Sequence, residues 1–464
     1  MKKLRFLISM SVIISLLLTM SGCSFRLTSF DNLIRPPKLS GKYQGLQDSF
    51  EKSVSGQVVL VTPENGSYQS AFITVDIDGD RDEEAIVFYL DEREPDLTKF
   101  CYFEYKNDEW VYISTHDGLG DSIDKVEISD INLDGYSEIV IGWKLFSSNT
   151  NKAFTAYSID TGIPKVVASY PYSHLELIDV NGDGLNDVLT LTIDSSVPNV
   201  LTATAKFYNY NIQKTAFVVM GEAPLDGNVI SYSTVTSEFV DDTNLLYIEA
   251  DKGQNESITE IIYWDDEKNF LVSPLFDATT QSTASTWRNV KLEAFDIDSD
   301  GYLEIPTSVL MPGSLSVSSD SMNLTDSSGN EITSQNSVYY IKWVKFRQSK
   351  LKPVQYSVYN DTFDYILNIK SSWVGRISVS GLDGQWDYYR YNTALQTQGD
   401  LLFSIYAYDS SDNEAKARFS GYNELTSYSG KTFVYQISKE GYRFGITDSM
   451  IVAGFKISDF GGSR

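Results

Sequence analysis

The chain has 464 residues, with 63 acidic against 37 basic side chains and a formal charge of −26 at neutral pH. A chain of that sign argues against a nucleic-acid partner, because phosphate binding needs a basic footprint. The length suits two domains, the 42% apolar share is ample for a core, and the 13% aromatic share favours β-structure.

At the N-terminus Lys2, Lys3 and Arg5 precede the apolar run Phe6–Met20, followed by Ser21, Gly22 and Cys23. Positive charge, a short apolar core and small residues read as a signal peptide over 1–22. The core is short for a membrane span. The stretch resembles a lipoprotein signal, which implies that Cys23 becomes an acylated first residue carrying palmitate. The expected location is then the cell membrane, on its extracytoplasmic face, held by the lipid anchor. Loss of 1–22 leaves 34 basic against 63 acidic residues, a formal −29. Anionic headgroups would repel such a surface, so the acyl chains must do the anchoring.

Residues 23–56 are expected to form a tether, with Pro36 and Pro37, and one short helix over 42–54 with Leu46, Phe50 and Val54 on one face. After Cys23 only Cys101 remains, so no disulfide forms within the folded part. An exported chain without disulfides needs another staple, and a metal ion is the available one. Cys101, in the strand-like run Phe100–Tyr105, reads as a small buried hydrophobe.

From Val58 the pattern turns to β. Four strands are expected near 71–76, 84–90, 99–106 and 109–115, and further sets of four start near 125, 175, 236 and 291. The second strand of a set, as in Ile139–Trp143 or Val188–Thr192, is almost continuously apolar or β-branched. A strand covered on both faces has that composition. Five sets of about 60 residues suit a propeller, and Gln57–Thr62 reads as a spare strand that pairs with the fifth set and closes the ring. A six-blade count using that strand is the alternative.

Between first and second strands lies a recurring acidic loop. Asp179-Val-Asn181-Gly-Asp183-Gly-Leu185-Asn-Asp187 alternates oxygen-bearing side chains at places one, three and five, puts glycine at six and a carboxylate at nine. Asp130-Ile-Asn132-Leu-Asp134-Gly-Tyr136-Ser-Glu138 and Asp296-Ile-Asp298-Ser-Asp300-Gly-Tyr302-Leu-Glu304 are full copies. Asp76-Ile-Asp78-Gly-Asp80-Arg-Asp82-Glu-Glu84 keeps the carboxylates but has Arg81 at place six. Hard oxygens on a tight turn suit Ca²⁺. An EF-hand is excluded: it needs glutamate at place twelve, where Val87, Ile141, Thr190 and Thr307 stand, and helical flanks. The spacings of 54, 49 and 117 residues place a degenerate copy near Ser237, where the ligand pattern is missing.

These copies resemble the FG-GAP/VCBS repeat of integrin-alpha-like β-propellers. The lead-in Arg35–Gly41 and the run Tyr68–Phe72 make the whole chain similar to VCBS-repeat lipoproteins of Gram-positive bacteria. The resemblance implies a mainly β fold, with a propeller over 57–360 and up to four structural Ca²⁺ ions. Their expected ligands occupy places one, three, five, seven and nine: Asp76, Asp78, Asp80, Asp82 and Glu84; Asp130, Asn132, Asp134, Tyr136 and Glu138; Asp179, Asn181, Asp183, Leu185 and Asp187; Asp296, Asp298, Asp300, Tyr302 and Glu304.

Pro312–Ser337 reads as a polar insertion in the fifth set. Residues 361–464 read as a small α+β domain with strands near Tyr365–Ile369, Arg376–Ser380, Trp386–Tyr391, Leu401–Tyr408 and Thr432–Ile437, and a helix over Asn413–Phe419. Trp373, Trp386, Tyr388, Tyr389 and Tyr391 suit core and cross-strand packing better than a sugar platform. Only His116 and His174 exist, 58 residues apart, and no nucleophile elbow or phosphate-cradling loop occurs. No catalytic residue is assigned. The expectation is a binding, adhesion or envelope-assembly module with a protein or glycan ligand. The alternative is a carbohydrate-active enzyme, a glycoside hydrolase or lyase, on the same scaffold.

Overall fold

Alternating apolar and branched residues between tight turns produce a mainly β chain of antiparallel meanders. The structure is a computed structural model that describes residues 41–145, 151–198, 200–211, 213–253, 255–317, 335–382 and 385–457. The expected signal peptide, Cys23, most of the tether and the middle of the insertion lie outside these residues.

Helix α1 (Gly41–Ser53) comes first. Sheet 1 follows: β1 (Val58–Leu60) and β2 (Phe72–Val75) lie in line along β3 (Glu84–Asp91), which pairs with β4 (Glu94–Lys106) and then β5 (Glu109–Asp117). Sheet 2 runs β6 (Ser122–Ser129), β7 (Glu138–Lys144), β8 (Lys152–Ser158), β9 (Lys165–Tyr172). Sheet 3 runs β10 (His174–Ile178), β11 (Asp187–Val197), β12 (Val200–Asn211), β13 (Ala216–Leu225). Sheet 4 runs β14 (Ser231–Val240), β15 (Thr243–Asp251), β16 (Ser257–Asp265), β17 (Phe270–Val272).

Sheet 5 is built on β18 (Ile305–Val317), β19 (Gln335–Arg347), β20 (Lys350–Asn360) and β21 (Tyr365–Ile369). Its expected first strand near 291–296 is reduced to a bridge between Phe295 and Glu304. Hydrogen bonding runs on past residue 360. In the C-terminal part, β22 (Ile377–Leu382) joins β18 in parallel at Leu315–Val317. Next come β23 (Gln385–Asn392) and β24 (Thr397–Asp409). Helix α2 (Asn413–Arg418), β25 (Asn423–Tyr428), β26 (Lys431–Ile437), α3 (Lys439–Phe444), α4 (Asp448–Gly454) and β27 (Phe455–Ile457) complete the chain. Spatially β24 pairs with β26, β26 with β25, and β27 with β21, giving ten strands in one sheet.

The second strands show how the sheets pack. Ile86 and Phe88 on β3 face Ile139, Ile141 and Trp143 of sheet 2, while Ala85, Val87 and Tyr89 face Leu46 and Phe50 of α1. Val140 turns from sheet 2 toward Val188 of sheet 3, and Leu189 and Leu191 turn from sheet 3 toward Leu246 and Ile248 of sheet 4. Leu245 and Tyr247 meet Ile305 and Val344 of sheet 5. The period-two alternation thus serves two cores from each strand, as the continuous apolar runs imply.

The expected closure through Gln57–Thr62 is corrected. Val58, Val59 and Leu60 pair with Asp91, Leu90 and Tyr89 of their own sheet, and Val61 N–H continues the ladder to Phe88 O. Among the described residues no strand pairing or core cluster joins sheet 1 to sheet 5. Helix α1 covers the outer face of sheet 1, and the C-terminal strands and helices form a large core with β19, β20 and β21. Trp373, Trp386 and Tyr388 are buried in that core, and Cys101 is buried in sheet 1. No helix among the described residues is long and apolar enough to cross a membrane.

Candidate metal centres

The acidic loops join β2 to β3, β6 to β7 and β10 to β11, and in sheet 5 the Phe295–Glu304 bridge to β18, and all four share one backbone design. Residue four and residue six have positive φ: 76° and 78° at Gly79 and Arg81, 57° and 91° at Leu133 and Gly135, 79° and 86° at Gly182 and Gly184, 64° and 86° at Ser299 and Gly301. Two left-handed residues two apart turn successive N–H groups inward. Place one then accepts from the N–H of place six: Asp76 from Arg81 at 3.1 Å, Asp130 from Gly135 at 3.1 Å, Asp179 from Gly184 at 2.9 Å, Asp296 from Gly301 at 2.8 Å. Place five accepts from place seven, as Asp134 does from Tyr136 N–H and Asp183 from Leu185 N–H, both at 2.9 Å.

Place nine reaches back and accepts from the N–H of place two. Ile77 donates to Glu84 at 2.7 Å, Ile131 to Glu138 at 3.0 Å, Val180 to Asp187 at 3.0 Å and Ile297 to Glu304 at 2.8 Å. All four of these carboxylates are at most 2% exposed. Burial, with the other loop carboxylates adding to it, pushes Glu84, Glu138 and Asp187 up to about 7. Burial also raises Glu304, against the opposing pull of Lys345.

Two groups of carboxylates converge closely enough to hold a metal ion. Oxygens of Asp76, Asp78 and Glu84 lie within 4.8 Å of one another, as do those of Asp296, Asp298 and Asp300. The middle loops have asparagine at place three. Asn132 Oδ1 accepts from Asp134 N–H at 2.9 Å, and its amide donates to Glu138 at 2.9 Å. Asn181 Oδ1 accepts from Asp183 N–H at 3.0 Å. Asp130 Oδ1 is buried without a hydrogen-bond donor, an acceptor that a cation fits. The place-seven residues Asp82, Tyr136, Leu185 and Tyr302 stand at the same point of each turn.

The loops differ in what faces place nine across the sheet. Glu84 pairs with Glu104, and Lys106 is occupied by Glu104. Asn209 donates to Asp187 at 3.1 Å. In sheet 5 the ammonium of Lys345 contacts Glu304 at 2.9 Å, Asp298 at 3.4 Å and also Asp300. Sequence spacing carries no sign of this lysine, which lies on the third strand.

Sheet 4 has a two-residue turn, Asp241-Asp242, with φ of 47° and 62°. This turn stands where the degenerate copy is expected, and the nearby carboxylate of Glu238 is engaged elsewhere. Glu238 accepts from Tyr247 Oη at 2.7 Å and Leu303 N–H at 2.5 Å. The histidines are tied locally. His116 stacks on Phe100 at 4.9 Å and shares a hydrogen bond with Ser114 at 2.8 Å, and His174 Nε2 lies 3.0 Å from Glu176. Between sheets 4 and 5 a cleft of about 850 Å³ is lined by Asp251, Glu293, Tyr359, Asp361 and Asp364, with Arg288 beneath.

No family model and no curated protein sequence matches the chain. Among solved structures it is similar to the exotype rhamnogalacturonan lyase YesX, at 10% identity and a TM-score of 0.29 over 75% of this chain and 83% of that one. It is similar to rhamnogalacturonan lyase YesW at 12% identity and 0.29, over 82% and 74%. Saccharomyces cerevisiae Sqt1 gives 10% and 0.29, over 81% and 86%. Overlaps of this size define no shared fold.

Proposed function

We propose that the chain is a calcium-stabilised, non-catalytic binding lipoprotein of the cell surface, anchored through Cys23. Its five sheets are propeller-type blades of the FG-GAP/VCBS kind, with Ca²⁺ held by their acidic loops. The observation that carries this reading is the set of buried ninth-place carboxylates Glu84, Glu138 and Asp187, which no lysine or arginine pairs among the described residues. A buried carboxylate pushed up to about 7 with no protein counter-charge takes a proton or an external cation, and a cation in the loop would stabilise its ionised form. Loop geometry, oxygen donors and a place-seven carbonyl suit a hard ion.

The ion's task in this reading is structural. Extracellular sites have Kd near ~10⁻⁴ M, so ~1 mM Ca²⁺ contributes roughly 1.4 kcal/mol per site and roughly 4 kcal/mol over the three loops without a protein cation. That is a large fraction of the stability of a whole domain. Chelation is expected to lower the melting temperature by several degrees, and added Ca²⁺ to restore it. Superimposable melting curves with and without chelator would overturn the calcium reading.

Ligand binding falls to the cleft between sheets 4 and 5, whose carboxylates and Tyr359 suit a polyhydroxylated partner such as a glycan. The same carboxylates favour one second reading, a glycoside hydrolase or lyase. A polysaccharide array separates the two. Retention without cleavage supports binding, whereas turnover abolished by Glu293→Gln establishes the enzyme.

A further inference from the structure

The four acidic loops share a backbone but not an electrostatic partner. Continuing each strand register one step from the loop gives the residue facing place nine. It is Glu104 in sheet 1, Ser158 in sheet 2, Asn209 in sheet 3 and Lys345 in sheet 5. The series runs from acidic through neutral to basic.

Lys345 does more than stand nearby. Its side chain is only 12% exposed, and its ammonium contacts Asp298, Asp300 and Glu304 together. It donates hydrogen bonds to Asp298 and Asp300 and stands 2.9 Å from Glu304 Oε1 as an ion pair. Glu304, fully buried, receives its only ion pair among the described residues from Lys345. Two residues further along the same face, Arg347 lies over the Tyr302 ring at 4.4 Å and reaches Glu238 at 3.5 Å. A second cation therefore flanks the same loop. Ion pairs from lysine or arginine reach no expected ligand of the other three loops among the described residues.

We propose that Lys345 is the resident cation of the fifth loop, so that the fold takes up calcium at three loops and neutralises the fourth from within. This rests on the calcium reading of the other loops. A Ca²⁺ ion entering the Asp296 loop must first displace the ammonium. It would leave the largely buried Lys345 without a partner and face Arg347 as well. The loop keeps its shape with no ion in the medium, which suits its position: it starts the strand that carries the whole ten-stranded sheet.

Calcium stoichiometry of the full chain, measured by equilibrium dialysis with Ca²⁺ alone, tests this. Three ions per chain are expected for the wild type and four for Lys345→Met, which keeps the stem and removes the charge. Asp298→Asn with Asp300→Asn should leave the wild-type count at three, and Asp134→Ala should lower it to two. Four ions in the wild type, or three in a folded Lys345→Met, would overturn the proposal. No ions in either protein would remove the calcium reading itself and this inference with it.

Discussion

Sheets 3 and 4 are neighbours built to one plan, and they close their first hairpins by different means. Sheet 3 uses a nine-residue acidic loop tied by hydrogen bonds to Asp179, Asn181, Asp183 and Asp187. Sheet 4 uses Asp241 and Asp242, both left-handed, the backbone of a tight two-residue turn. Sheet 3 buries Asp187 with no protein cation. Sheet 4 buries more charge but brings its own cations: Arg288 against Glu249, and Lys252 against Asp226 at 2.6 Å. The hairpin itself therefore does not demand metal. What a buried carboxylate demands is a cation or a proton; sheet 4 supplies cations from its own side chains, and in the calcium reading sheet 3 would take one from solvent.

The sharpest way to break this comparison is to remove a protein cation. Arg288 is almost fully buried. It donates to Thr259 Oγ1 at 2.9 Å, Thr286 O at 3.3 Å and Leu292 O at 2.5 Å, besides its pair with Glu249. Arg288→Met leaves Glu249 with donors from Thr259 and Ala294 alone. A loss of about 3–5 kcal/mol is expected from urea unfolding, because the orphaned charge stays in the core. Saturating Ca²⁺ should not restore it, whereas adding Glu249→Leu should restore most of it. Rescue by Ca²⁺ alone would mean that sheet 4 also relies on metal.

The second effect is the share of the pH dependence that Glu260 of sheet 4 carries. Glu260 is fully buried and accepts from Asp226 N–H at 3.1 Å and Thr283 Oγ1 at 3.1 Å. Asp226 and Lys252 are the charged groups beside it, and burial pushes it from 4.5 up to about 7. A raised carboxyl binds its proton more tightly in the folded state. Its contribution is complete below pH 4.5 and fades as pH rises through 7. Glu260→Gln cannot titrate, so its stability relative to wild type should rise by roughly 3 kcal/mol between pH 4.5 and 7.5. Urea midpoints across that range, at fixed Ca²⁺, read it directly. A flat difference would show that Glu260 stays ionised in the fold.

Much of this architecture is legible in the chain. The doubly covered second strands announce themselves as apolar runs such as Ile139–Trp143, and the loops fall between the strands where their spacing puts them. Long-range partners are not legible. Lys345 reaches Asp300 through a cross-strand register 45 residues away, and nothing local marks it. Gln57–Thr62 carries too few residues to select a sheet by pattern, and it took the nearest edge, that of β3. The parallel join of β18 to β22 uses Leu315–Val317, inside a stretch that reads as polar insertion. Helices α3 and α4 did leave a signal in their caps. Ser438 accepts from Gly441 N–H and Thr447 from Met450 N–H. Arg81 is a different case. Loop geometry overrides its preference and holds it at φ 78°, where glycine stands in the other three loops.

The smallest effect isolates the two hairpins by making the same substitution in each. Asparagine tolerates the left-handed backbone at Asp241, so Asp241→Asn removes a charge and leaves the turn intact. A change below about 0.5 kcal/mol is expected, with or without Ca²⁺. Asp183→Asn removes the same charge from a loop proposed to hold an ion, and would weaken that ion's binding. It should cost about 1 kcal/mol at ~1 mM Ca²⁺ and almost nothing in chelator. Hydrogen exchange locates the loss: amides of β10 and β11 should open faster, while β14 and β15 keep their protection. Equal and calcium-independent effects at both positions would reduce the contrast between the sheets to loop length.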